Sequence, residues 1–243
     1  MADNNSMETN PIIDKLFSIG AHFGMVSARR HPSTSGYLFG AKGGIELFDL
    51  EQTAALLAEA LDAVKALAAE RKTILFVGGQ APAREAVERA ALRLNAPYCA
   101  GRWIGGTLTN FSEIKKRLAR LEEIADSGKS GELMKFTKRE RSLIDHEMSN
   151  LTVMFGGLRG MSKLPDALFV VDPKHESGAV AEARQLNIPI IALLNSDCDR
   201  TQITHPIPGN DASRETIHYV LSEVATAYLD AVPPAVAASA IAA

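Results

Sequence analysis

Ala167-Leu168-Phe169-Val170-Val171, followed at once by Asp172-Pro173, is apolar at every position. A strand with one wet face alternates apolar and polar residues. A strand that is apolar throughout is covered on both faces, as in a parallel sheet between two layers of helices. Two other runs have the same form: TILFV at 73–77, ended by Gly78-Gly79, and IPIIALL at 188–194, ended by Asn195-Ser196-Asp197. Helical patterns lie between and around them. Residues 50–69 carry Leu56, Leu57, Leu61, Val64 and Leu67 at helical spacing, and 82–94 opens on a proline suited to a first helical turn. A third helix is expected over 176–186, closed by Asn187-Ile188-Pro189. A fourth is expected over 213–229, entered through Gly209-Asn210-Asp211. Strand and helix alternating through short connections give a doubly wound parallel α/β sheet, Rossmann-like or flavodoxin-like.

The alternation stops in the middle of the chain. No strand pattern occurs from Asn110 to about Gly156. Phe111, Ile114, Leu118, Leu121 and Ile124 recur at spacings of three and four, up to Asp126-Ser127-Gly128. A second helix begins where Thr137-Lys138-Arg139-Glu140 fits a capping box, with Leu143 or Ile144, Met148, Leu151 and Phe155 inward. Gly156-Gly157 ends it. The narrow seam predicts an antiparallel coiled-coil hairpin that zips mainly against itself and projects from the sheet. The expected organisation is therefore a sheet domain over 1–109 and 157–230, an inserted hairpin over 110–156 and a flexible tail over 231–243.

GRWIGGTLTN, from Gly101 to Asn110, is where sheet hands over to hairpin. Arg102 offers a planar guanidinium suited to phosphate. Trp103, the single tryptophan, either seals the junction or stacks on a base. Gly105-Gly106 permits a tight turn, and Thr109 and Asn110 are suited to cap the next helix. Basic residues gather on the hairpin: Lys115, Lys116, Arg117 and Arg120 on one arm, Lys135, Lys138, Arg139 and Arg141 on the other. Glu113, Glu122, Glu123 and Glu140 balance them.

The 243 residues carry a formal charge of −3 and 46% hydrophobic residues. That charge excludes a protein that coats nucleic acid by bulk attraction; any RNA contact must be a local basic surface. Cys99 and Cys198 lack a CxxC partner and read as buried thiols in a reducing compartment. MADNNSMETN lacks a signal-peptide pattern, and no apolar run approaches the roughly 20 residues that cross a bilayer. Membrane association is not expected.

Four landmarks, in order, resemble those of the bacterial-type small-subunit ribosomal protein S-two family. They are Ile19-Gly20-Ala21-His22-Phe23-Gly24, the Arg102–Asn110 string RWIGGTLTN, LPDALFVVD from Leu164 to Asp172, and Ile207-Pro208-Gly209-Asn210-Asp211. The likeness runs from about Ile12 to Leu229. It implies a five-stranded sheet with an inserted hairpin and no enzymatic activity. It also implies a cytoplasmic place on the solvent side of the small subunit between head and body. The implied partners are small-subunit rRNA, neighbouring ribosomal proteins and, for translation initiation, ribosomal protein S-one, with no small-molecule substrate. The residues expected on RNA are His22, Arg29, Arg30, Lys42, Arg102, Thr107, Asn110, Lys115 and Lys116. Trp103, Gly105, Gly106 and Thr109 are expected to form the junction. Three stretches depart from the family pattern: Met25 to Thr34, where Arg29-Arg30 replaces a Trp-containing segment; the uncharged Gly79-Gln80-Ala81-Pro82; and Asn195-Ser196-Asp197.

Two other readings compete. A nucleotide-binding enzyme would use the turn after 73–77, but GxGxxG and GxxxxGK[ST] are both absent. His22, His175 and His205 form no recognisable triad. Asp172, Asp197, Asp199 and Asp211 read as caps and turns. No cofactor is expected beyond a divalent ion near Asp197 or Asp211. The remaining reading is a free adaptor that works through the hairpin.

Overall fold

The apolar runs become strands in the computed structural model, which describes residues 11–129 and 135–233. Along the chain lie α1 (Pro11–Ser18), β1 (Phe23–Val26), β2 (Leu38–Lys42), β3 (Ile45–Phe48), α2 (Leu50–Ala69), β4 (Ile74–Val77) and α3 (Ala81–Leu94). Then come β5 (Tyr98–Cys99), α4 (Phe111–Lys129), α5 (Lys138–Phe155), β6 (Ala167–Val171), α6 (Ser177–Gln185), β7 (Ile190–Leu194), β8 (His205–Pro208) and α7 (Arg214–Ala231).

The main sheet has five strands in the order β5-β4-β6-β7-β8, and every pairing is parallel. This is the 2-1-3-4-5 order of flavodoxin-like folds, with its switch point between β4 and β6. The strands are covered on both sides, as unbroken apolar runs require. Ile74, Phe76, Phe169, Val171, Ile191 and Leu193 face α2, α3 and α7. Leu75, Val77, Leu168, Val170, Ala192 and Leu194 face α6 and the roots of α4 and α5. Each fully buried Leu, Ile, Val or Phe contributes about 1.5–3 kcal/mol, so these two layers dominate the fold's stability.

The hairpin is less detached than its seam suggested. Ile114, Leu118, Leu121 and Ile124 of α4 and Leu151 and Phe155 of α5 belong to the same buried cluster as Leu75 and Leu168 of the sheet. Its seam therefore continues the core of one face. Ile144 packs inward, while Leu143 is 64% exposed and Met148 lies at the surface. Glu147, one residue before Met148, faces α4 instead and accepts a fork from Arg120: Nε to Oε1 and Nη2 to Oε2, each 3.2 Å. The capping box forms, Thr137 and Glu140 bonding reciprocally. Helix α4 passes the Asp126-Ser127-Gly128 stop and runs to Lys129.

Around the main sheet, a second, antiparallel sheet of order β1-β3-β2 was not legible in the pattern. Of the tail expected over 231–243, residues past 233 lie outside the described residues, and Ala231 still belongs to α7.

Candidate functional site

The loop between β5 and α4 is organised by one carboxylate. Glu182 of α6 accepts from Trp103 Nε1 at 3.0 Å and Gly106 N at 2.8 Å through Oε1. Its Oε2 accepts from Leu108 N at 2.9 Å, Thr109 N at 3.0 Å and Thr109 Oγ1 at 3.1 Å. Burial alone would raise the carboxyl's pKa, but the combined donors hold it below its ordinary value. Sequence reading missed Glu182. It lies more than 70 residues beyond the loop, on a helix whose exposed polar positions all look alike.

The junction residues take distinct places around it. The Trp103 indole is half-buried and packs beside Gly178 of α6. Gly106 adopts φ +87°, where a side chain is strained, whereas a β-carbon on Gly105 would meet open space. Thr109 does not cap α4: the helix starts at Phe111, which puts Asn110 in the cap position, and the Thr109 hydroxyl donates to Glu182. Asn110 supplies the carbonyl that receives Glu113 N and Ile114 N, while its side chain takes the Ser112 hydroxyl.

The residues expected on RNA divide by what already holds them. Arg29, Lys42 and Arg102 are exposed and have no charged partner among the described residues. Arg29 and Lys42 stand at the same end of the small sheet, where Val26 and Lys42 both pair with Ile45 and Ser27 N bonds Gly44 O. Lys174, not singled out from sequence, lies near enough for the Arg29 charge to act on it and is itself paired with Asp197 at 2.7 Å. Arg30 reaches the buried Glu46 at 3.5 Å, Lys116 reaches Glu113 at 2.6 Å, and Lys115 lies over the Phe111 ring. Thr107 is corrected outright: it is buried and its hydroxyl donates to Ile104 O at 2.6 Å, leaving nothing for RNA. The His22 ring sits between Phe17 and Phe23, and burial lowers its pKa, so near neutral pH it carries no charge for a phosphate.

The switch-point crevice, where this architecture receives phosphates, is filled by the protein itself. Gly79 N donates to Glu176 Oε1 at 2.8 Å, and a β-carbon on Gly79 would collide with the Gly101 carbonyl oxygen. A negative carboxylate thus occupies the place of a phosphate. Beside it, Asp172, Cys198 and Asp211 bring their ligand atoms within 4.8 Å of one another. The carboxylates have protein donors: Asp172 accepts from Gln80, Lys174 N and His175 N, and Asp211 from Asn195 at 2.7 Å. Asp197 belongs to the Lys174 pair rather than to this group. Burial and the Asp172 charge push the Asp211 carboxyl up to about 7, and burial pushes the Cys99 thiol up to about 11 and Cys198 higher still. These thiols are not nucleophiles at neutral pH.

A doubly wound sheet whose switch-point crevice holds its own carboxylate, with a charged helical hairpin rooted in the core of one face, defines a structural binding scaffold. Residues 16–231 match the family model described as Ribosomal protein S2. The chain is 40% identical over 219 residues to the small ribosomal subunit protein uS2 of Dictyoglomus thermophilum, covering 90% of this chain and 89% of that one. It is 41% identical over 212 residues to the protein of the same name from Wolinella succinogenes, covering 87% and 78%. The chain belongs to the Ribosomal protein S2 family, whose members are structural, non-enzymatic constituents of the cytoplasmic small ribosomal subunit in bacteria. Among the described residues, no helix is long and apolar enough to cross a membrane.

Proposed function

We propose that this chain is built into the small ribosomal subunit by binding its rRNA and the neighbouring proteins between head and body, and from there supports recruitment of ribosomal protein S-one during initiation. One observation supports the RNA part most directly. On a chain of net charge −3, Arg29, Lys42 and Arg102 keep exposed positive charges with no carboxylate partner among the described residues. A free guanidinium or ammonium gains from phosphate contact; one already paired with a carboxylate must first give that pair up. Arg29, Lys42 and Arg102 are therefore the principal phosphate contacts. Arg30, Asn110 and Lys115 are secondary, Lys116 contributes least, and His22 acts through its ring.

Competition between wild type and variant for incorporation into subunits tests the ranking. The triple variant Arg29→Ala, Lys42→Ala, Arg102→Ala is expected to lose incorporation at least tenfold, with a shallower salt dependence. Lys116→Ala is expected to compete almost equally. A triple variant that competes as well as wild type refutes the assignment.

A further inference from the structure

We propose that residues 103–109 form an anion-binding nest, that its resident anion is the chain's own Glu182 carboxylate, and that this pairing sets the direction of the hairpin against the sheet. Five donors converge on the two oxygens of one side chain, at 2.8 to 3.1 Å. Three are backbone N–H groups, from Gly106, Leu108 and Thr109. N–H groups converge on one anion where the chain alternates hand, and Gly106 at φ +87° supplies the left-handed step. None of the five donors carries a charge, so the nest depends on aligned dipoles and requires a full negative charge to satisfy them. A carboxylate has about four lone-pair sites over two oxygens and accepts all round. An amide of the same shape has one accepting oxygen and would turn its own N–H groups towards N–H groups.

The two sides of the nest are fixed to different bodies. Glu182 stands on α6, whose Ala179, Val180 and Ala183 are buried against the sheet. The donors run directly into α4: Gly106 O accepts from Asn110 N at 2.8 Å, and Asn110 O starts the helical ladder. Turning the loop on Glu182 therefore turns the first arm of the hairpin. The apolar seam holds the two arms together along their length but fixes their angle to α6 only weakly, because apolar packing is not directional. The carboxylate supplies the directional constraint, whichever partner the hairpin meets.

The test uses the full chain with spin labels at Glu122→Cys on α4 and Glu59→Cys on α2; both positions are exposed, and native Cys99 and Cys198 are buried. Trp103, the single tryptophan, is a built-in optical reporter of the nest. Glu182→Ala is expected to widen the label-to-label distance distribution at least twofold and to shift Trp103 emission to the red. Added formate is expected to reverse both changes saturably, while chloride at equal ionic strength does not. Glu182→Gln keeps the shape and carries the test if the alanine variant does not fold; it is expected to widen the distribution in the same direction without rescue by formate. Wild-type width in both variants overturns the proposal. So does an alanine variant that responds to formate no more than to chloride.

Discussion

Glu176 and Glu182 stand at the cap and in the second turn of the same helix, α6, and each fills a place shaped for an anion. Glu176 is 2% exposed and closes the crevice at the sheet's switch point, with Gly79 N as its backbone donor. Glu182 is half-buried at the foot of the hairpin and gathers five donors. Glu176 lies where related architectures put a ligand's phosphate, and Glu182 meets a loop whose N–H groups converge as they would on an anion. The first is sealed by a neighbouring carbonyl and is a finished piece of core. The second is open on one side and joins two bodies. A fold built around ligand crevices becomes a scaffold when its own side chains take the ligands' places, and the degree of burial separates filler from hinge pin.

The sealed side of this contrast gives the largest expected effect. A β-carbon on Gly79 would strike the Gly101 carbonyl and lie 3.0 Å from Glu176 Oε1. Relief requires moving backbone, since the nearer obstacle is the Gly101 carbonyl oxygen and not the end of a side chain. Gly79→Ala is expected to cost roughly 3–5 kcal/mol through overpacking and the lost Glu176 bond. That corresponds to a fall of roughly 10 °C in a thermal melt. A melt unchanged within a degree or two would show that the crevice has room, and would reopen it as a ligand site.

What the sequence displayed follows the same division between local and distant causes. Strands β4, β6 and β7 were legible because burial on both faces forces continuous apolar runs. The Thr137–Glu140 box was legible because both partners lie within one turn. Strand β8 was hidden by Pro206 and Pro208, residues tolerated only because β8 is the sheet's edge. The small sheet was hidden by short strands with bulged registers and by side chains that face solvent, Phe39 at 83% among them. The cap expected at Thr109 failed because α4 starts at Phe111, one residue too late for it, and the Thr109 amide and hydroxyl both turn to a distant carboxylate. The anion-like role of both glutamates escaped notice for one reason: the backbone N–H groups they accept from lie at least 73 residues away, and no local spacing encodes that.

The crevice and the nest are also expected to respond to pH with opposite signs. Asp211, at the crevice, has a carboxyl pushed from 3.8 up to about 7 by burial and by the charges of Asp172 and Asp197. Its folded pKa exceeds its unfolded one, so its contribution to stability is complete below about 3.8 and is lost as pH rises through about 7. Glu182 is lowered, so its contribution is present above the ordinary carboxylate range and is lost in acid. Asp211→Asn keeps an acceptor for Asn195 and removes the charge. The variant is expected to gain about 2–3 kcal/mol over wild type at pH 8, with the gain vanishing near pH 4. Denaturant melts across that range measure it. A gain independent of pH would mean that Asp211 ionises as readily folded as unfolded, and that the crevice is wetter than its packing indicates.

The smallest effect separates two neighbouring glycines of the nest. Gly105 and Gly106 look alike in sequence, but a β-carbon on Gly105 meets nothing within 4 Å, while Gly106 is left-handed and faces Asn110 Cβ at 3.3 Å. Gly106→Ala is expected to cost about 1–2 kcal/mol, the price of holding a side chain in that region. It should also weaken the Glu182 contacts, visible as a red shift of Trp103. Gly105→Ala is expected to stay within about 0.5 kcal/mol of wild type and to leave the emission unmoved. Equal costs at the two positions would mean that the loop needs small residues for close packing rather than one reversed hand. The nest would then lose the backbone geometry that distinguishes it from the sealed crevice, and Glu182 would be one more capping carboxylate rather than the pin between hairpin and sheet.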